Sequence, residues 1–325
     1  MSEKVRMGVK LAGTGSALPS RVVTNDDLAK IVDTSDEWIS TRTGIRSRHY
    51  LAEGESHLQL ARDAAARSLD AAGIEPSQVG VCLVATFTGP HATPSTACLL
   101  QRELDLPEDT LCLDLNAACA GFVYGLHVAE GLLADAATRP YALVVGVDTV
   151  SRVMDFTDRS TCVLFGDGAG AAVLERGAGY PGLSAAWGSR GDDTSLVASG
   201  VGAGSDAGPS FLHMDGRAVF RFATEVLPRC TQDVLARSGL AADDVDRFVF
   251  HQANSRIVDL AVRKLGLDPA RCEGNIAHMG NTSAASVPIL LDELVRAGKL
   301  QPGDRALCVG FGAGLTWAGA LLQLK

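Results

Sequence analysis

Residues 69–86 read LDAAGIEPSQVGVCLVAT, and residues 235–252 read LARSGLAADDVDRFVFHQ. Each runs from a helix end through a glycine, one apolar residue and a polar turn to a valine and a buried strand, at an offset of 166 residues. Glycine just past the last periodic residue is a helix-stop signal, and a short apolar run after it suits a strand buried on both faces. Two more pairs follow: YALVVG (141–146) with RALCVG (305–310), and FGDGAGAAVL (165–174) with FGAGLTWAGALL (311–322). Three matches in the same order predict two similar halves, divided as 1–177 and 178–325. Strands alternating with helices predict an α/β fold with largely parallel sheets covered on both faces.

The remaining patterning fits this frame. A strand with a glycine turn is predicted over 8–18, where Gly13 and Gly15 lack the third glycine of a dinucleotide fingerprint. Helices are predicted from Thr24 through Val32, from Ser35 to the TRTGI loop, and over 56–72, 216–235, 254–265 and 283–297. The SGVGAGSDAGP segment at 199–209 reads as a flexible loop. Nineteen uncharged residues at 306–324 approach the length of a membrane span, but four glycines interrupt them and a buried strand pair fits better.

The chain has 325 residues, 46% hydrophobic and 21% charged, which is globular and enough for a sizeable core. A net charge of −9 argues against nucleic acid as a general partner. Eight cysteines are scattered without a C-x-x-C pair, so a zinc site is not expected. The opening MSEKVRMG has no apolar core, so we expect a cytoplasmic protein with reduced thiols.

Candidate chemistry centres on 111–135, LCLDLNAACAGFVYGLHVAEGLLAD. A short strand is followed by a turn and a helix that starts at about Cys119. A thiol at a helix N-terminus meets unpartnered N–H groups and the positive dipole end, both of which favour the nucleophilic thiolate. A small buried cysteine with a packing role is the alternative. Of seven histidines, six lack chemical company; His251 ends the buried strand FVFHQAN, where α/β proteins place functional groups. Asn281, in GNTSAAS, lies in a turn before a helix, roughly where Cys119 stands in the first half. It could equally be a helix cap. If the halves are related by a pseudo-twofold axis, these three side chains can converge on one pocket.

NAACAGF around Cys119, HQAN at His251, GNTSAAS at Asn281, the turn at 310–314 and DEWISTRTGI at 36–45 together resemble β-ketoacyl-acyl carrier protein synthase III, essentially end to end. That resemblance implies a thiolase-like duplicated fold of five layers, αβαβα, as a homodimer. It implies a Cys119 acyl-enzyme formed from an acyl-CoA, then decarboxylating condensation with malonyl-acyl carrier protein, starting fatty acid synthesis. A specialised starter enzyme or acyltransferase of a polyketide pathway is the alternative. No metal, nucleotide or other cofactor is expected.

By position, the resemblance makes Cys119, His251 and Asn281 catalytic, and the N–H groups of Cys119 and Ala313 the oxyanion hole. Trp38, Arg42, Arg159, Phe220 and Asn254 are implied to hold CoA, and Phe311 and Thr93 to shape the acyl pocket. Arg256, Arg263 and Lys264, sharing a helical face, would dock the acidic carrier protein. Ala313 stands where many members have a third glycine, which leaves its N–H intact. Thr93 stands where short-chain members carry phenylalanine, so a roomier pocket is expected.

Overall fold

The computed structural model of the chain describes residues 7–135, 139–198 and 211–325; the loop expected at 199–209 and the first six residues lie outside them. The first sheet runs, in spatial order, Met7–Ala17, Asp167–Ala178, Tyr141–Thr149, Val79–Ala85 and Leu111–Leu115. The second runs Ser184–Ser189, Thr316–Gln323, Arg305–Gly312 and Arg247–Phe250. The four strands of the second sheet match the first four of the first, and Leu111–Leu115 is an added edge strand. Within each sheet the first two junctions are antiparallel and the rest parallel.

The sheets are therefore mixed, which corrects the expectation that they are largely parallel. Strand direction depends on how the chain returns. In the second half it reverses directly through 313–315, giving an antiparallel pair with Gly312 opposite Thr316. In the first half the same reversal, Thr149 opposite Asp167, is made by the longer segment 150–166. The uncharged stretch at 306–324 is this antiparallel strand pair, and no described helix is long and apolar enough to cross a membrane.

Alternating side chains on each strand build separate layers. Cys82 and Val84 pack with Leu60, Ala64 and Leu100, from the helices His57–Ala72 and Thr96–Glu103, on the outer face of the first sheet. Val81 and Leu83 point the other way, into a core shared with Phe122 and Leu126 of helix Gly121–Asp135 and Leu290 and Leu291 of helix Ser286–Arg296. Cys308 and Ala320 close that core from the second sheet. Leu307 and Val309 face out against helices Gly216–Ser238 and Ser255–Leu265. The result is αβαβα. The two central helices sit between the sheets, so what lies at their N-termini lies deep in the molecule.

Helix ends follow the local chemistry. Ser56 caps the helix that Gly73 closes in the left-handed conformation at φ 65°, and Ser35 and Gly44 do the same for Asp36–Thr43. The helix expected through Val32 is shorter, Asn25–Leu28, with Thr24 and Asp27 forming a capping box.

Candidate active site

Each central helix is entered through the same kind of turn. In the first half Ala118, at φ 45°, opens a short 3₁₀ turn, Ala118–Ala120, before the helix begins at Gly121. In the second, Ser283, at φ 52°, opens Ser283–Ala285 before the helix at Ser286. Cys119 thus sits in the turn, not in the helix proper. Strand Arg305–Gly312 presses on that turn: a Cβ built on Gly312 would lie 2.9 Å from both Cβ and N of Cys119, and 3.3 Å from its sulfur. Gly146 in the first sheet packs in the same way on Ala284. The Thr316 hydroxyl lies 2.9 Å from both the Ala117 and the Ala313 carbonyl oxygens, joining the two turns from which the Cys119 and Ala313 N–H groups project.

The thiol of Cys119 donates to the Ser283 hydroxyl at 3.3 Å. Burial pushes its pKa up to about 12, so desolvation overrides the helix terminus and the resting group is a thiol. This corrects the sequence expectation of a thiolate. Asn281 is fixed by its neighbours: its Oδ1 accepts from the Ser283 N–H at 2.9 Å, and its N–H donates to the Leu164 carbonyl at 2.9 Å. With Oδ1 engaged, the amide NH₂ is the end left to donate.

His251 follows strand Arg247–Phe250 and is 1% exposed; its N–H donates to the Val309 carbonyl at 2.8 Å. The ring meets Phe311 edge-on at 5.1 Å, and Nδ1 has no hydrogen-bond partner among the described residues. Burial lowers its pKa to about 3, so the imidazole is neutral and carries one N–H.

Cys119 stands between two cavities. A smaller one of about 210 Å³ is lined by Cys119, His251 and Asn281, with Phe220, Asn254 and Phe311. A larger one of about 390 Å³ is lined by Cys119, Ser283 and Ala313, with Phe87, Phe165 and Leu212. Phe311, expected to shape the acyl pocket, lines the cavity that holds the histidine and not the larger one. Thr93 is exposed, follows His91 and Ala92 in a surface loop, and lines neither cavity.

Residues in mutual contact connect a surface depression with the smaller cavity. Trp38, Arg42 and Arg256 line an open depression of about 570 Å³, with the Arg42 and Arg159 guanidinium groups 4.7 and 4.9 Å from the Trp38 ring. Asn254 caps helix Ser255–Leu265, accepting from the Arg256 N–H at 3.0 Å and donating to the Arg42 carbonyl at 3.1 Å. Arg256 lies over Phe220 at 5.6 Å, and Phe220 lines the cavity. Arg263 and Lys264 are exposed further along the same helix.

Sequence reasoning missed three residues here. Asp148, fully buried, accepts from Thr86, Thr88 and the Ala284 N–H, the last at 3.1 Å. A lone acid in the apolar run YALVVGVDT was the available signal. Ser283 stood inside a motif already singled out, but its sulfur partner lies 164 residues away. Thr316 gave no local signal. Among the described residues no group of His, Cys, Asp and Glu is arranged to hold a metal ion.

Known proteins match this chain throughout. Residues 113–191 fit the family described as 3-oxoacyl-[acyl-carrier-protein] synthase III, and residues 235–324 fit its C-terminal region. A β-ketoacyl-[acyl-carrier-protein] synthase III of Coxiella burnetii is 42% identical over 97% of this chain and 99% of its own length. The crystal structure of 3-oxoacyl-(acyl carrier protein) synthase III from Pseudomonas aeruginosa superposes with a TM-score of 0.90 at 42% identity, covering 98% of each chain. The priming β-ketosynthase of a polyketide pathway gives a TM-score of 0.92 at 36% identity, covering 100% of this chain and 99% of its own. With the thiolase-like architecture and near-complete coverage of both partners, this chain belongs to the 3-oxoacyl-[acyl-carrier-protein] synthase III family of condensing acyltransferases.

Proposed function

We propose that the protein condenses an acyl-CoA starter with malonyl-acyl carrier protein, losing carbon dioxide and giving β-ketoacyl-acyl carrier protein, the first elongation of fatty acid synthesis. One observation carries this reading: Cys119, His251 and Asn281 line a single cavity although they come from opposite halves of the chain. Cys119 attacks the thioester carbonyl, the C–S bond to CoA breaks, and the acyl group stays on the sulfur. The N–H groups of Cys119 and Ala313 stabilise the oxyanion; each such donor is typically worth about 3 kcal/mol.

Malonyl-acyl carrier protein then uses the same cavity. As its carboxylate leaves, charge builds on the thioester oxygen, where the His251 N–H and the Asn281 NH₂ donate. A neutral imidazole suits that task, because it stabilises the enolate without handing over a proton. The enolate carbon attacks the acyl carbonyl on Cys119 and releases the product. The chemistry calls for no cofactor beyond the two substrates.

The CoA nucleotide lies at Trp38, between Arg42 and Arg159, and its pantetheine arm passes Asn254 and Phe220. Arg256, Arg263 and Lys264 receive the acidic carrier protein. The acyl chain occupies the larger cavity, shaped by Thr93 of a second copy in a homodimer, while Phe311 orients His251. We assign the protein to the cytoplasm and take 1–177 and 178–325 as its two halves. The test is turnover: wild type with acyl-CoA and malonyl-acyl carrier protein releases carbon dioxide and β-ketoacyl product, whereas His251→Ala and Asn281→Ala lose both. Unimpaired condensation by those variants contradicts the reading.

A further inference from the structure

For Cys119 to attack a thioester, its thiol proton must leave the sulfur. Among the described residues the side chain that receives the sulfur's hydrogen bond is Ser283, at 3.3 Å. Ser283 is fully buried and holds a left-handed backbone, φ 52°, which is strained for a non-glycine residue and recurs at functional sites. In this turn the Ser283 N–H donates to Asn281 Oδ1 and its hydroxyl accepts from the sulfur. In the matching turn of the first half, Ala118 has the same backbone and no hydroxyl.

Behind Ser283 stands Asp148. One carboxylate oxygen accepts from Thr86, Thr88 and the N–H groups of Phe87 and Thr88, which occupies it fully. The other accepts from the Ala284 N–H at 3.1 Å and is the oxygen on the side of the Ser283 turn. The Ser283 hydroxyl lies close enough to help hold this carboxylate's charge, but burial is the larger effect and raises the carboxyl above its ordinary range, making it a better proton acceptor than a solvated aspartate. His251, fully desolvated with no countercharge, is a poor resting place for a proton.

We propose that Ser283 is a catalytic residue of the acylation step, relaying the thiol proton of Cys119 to the carboxylate of Asp148. As the sulfur bonds to the thioester carbon, its proton passes to Ser283 Oγ and the hydroxyl proton passes to Asp148 Oδ2. The carbonyl electron pair moves onto the oxyanion. On collapse the C–S bond to CoA breaks, and the same path reversed gives the proton to the leaving sulfur. Asp148 ends unprotonated, as it began. The proposal deepens the function given above and rests on Cys119 being the acyl acceptor.

The experiment is single-turnover acylation by acetyl-, isobutyryl- and octanoyl-CoA, followed by intact mass, in wild type, Ser283→Gly, Asp148→Asn and the double variant. Glycine tolerates the positive φ, so Ser283→Gly removes the hydroxyl without disturbing the turn, and thermal melting checks the fold of each variant. Expected is an acylation rate about 100-fold lower in Ser283→Gly, in the range of general base catalysis. Decarboxylation of malonyl-acyl carrier protein stays at the wild-type rate, and the double variant is no slower than Ser283→Gly alone. Wild-type acylation by Ser283→Gly overturns the relay, as do losses that multiply in the double variant or decarboxylation that falls in step. A wild type that takes no acyl group from any of the three overturns the reading of Cys119 and the relay with it.

Discussion

Gly312 lies directly against Cys119: a single added carbon at position 312 would sit 2.9 Å from the nucleophile's backbone nitrogen and its Cβ. Both contacts involve atoms that cannot rotate away. Gly312→Ala must therefore displace the turn carrying the thiol and its N–H. Overpacking of this kind costs about 1–3 kcal/mol, and a misplaced nucleophile loses about 100-fold in rate. Urea denaturation and acylation measured on the same preparation check both effects; a variant with wild-type acylation removes the close approach from the account.

Two buried histidines give stability a defined pH dependence. Burial lowers both His57 and His251 to about 3, against an ordinary value of 6.5. Below pH 6.5 the unfolded chain binds protons that the folded one does not, so each group stabilises fully above 6.5 and progressively less as pH falls towards 3. Between pH 7.5 and pH 5 each costs about 2 kcal/mol of unfolding free energy. His57→Gln, which leaves the proposed site intact, is expected to lose correspondingly less over that interval than wild type. Equal losses, read from denaturant midpoints at the two pH values, would contradict the neutral state of His57.

The duplication was legible in the sequence because helix-stop glycines and apolar runs are local signals, and they recur in the same order in both halves. Strand direction was not, because the reversals at 150–166 and 313–315 differ in length while flanking equivalent strands. The convergence of Cys119, His251 and Asn281 could be argued from the repeat. The thiol's protonation state could not, since burial by a strand near residue 312 outweighs the local helix terminus. Asp148, Ser283 and Thr316 matter through partners across the molecule, and a linear pattern holds no trace of those distances. Phe311 differs from these: alternation along its strand turns it, with Leu307 and Val309, towards the helix Gly216–Ser238 side and beside His251.

The exposed helix face at Arg256, Arg263 and Lys264 gives a salt-dependent prediction. Reversing charge with Arg263→Glu and Lys264→Glu is expected to raise KM for malonyl-acyl carrier protein about tenfold at low ionic strength, with the gap narrowing as salt is added. Acylation by a small acyl-CoA, which needs no carrier protein, is unaffected. An equal loss with both substrates, measured by steady-state kinetics, rules against a docking role.

Chain-length preference tests Thr93. With a small residue there, wild type is expected to accept isobutyryl- or octanoyl-CoA alongside acetyl-CoA, and Thr93→Phe to restrict turnover towards acetyl. A discrimination of about 10–100-fold is in the range that a few methylene groups in a filled pocket can supply. Strict acetyl preference in wild type, seen in kcat/KM across the panel, refutes it.

Intact-mass analysis after incubation with acetyl-, isobutyryl- and octanoyl-CoA tests the central claim most directly. Wild type is expected to gain one acyl group that maps to the peptide containing Cys119, and Cys119→Ala to gain none. An unmodified wild type, or an adduct that persists in Cys119→Ala, would contradict the account.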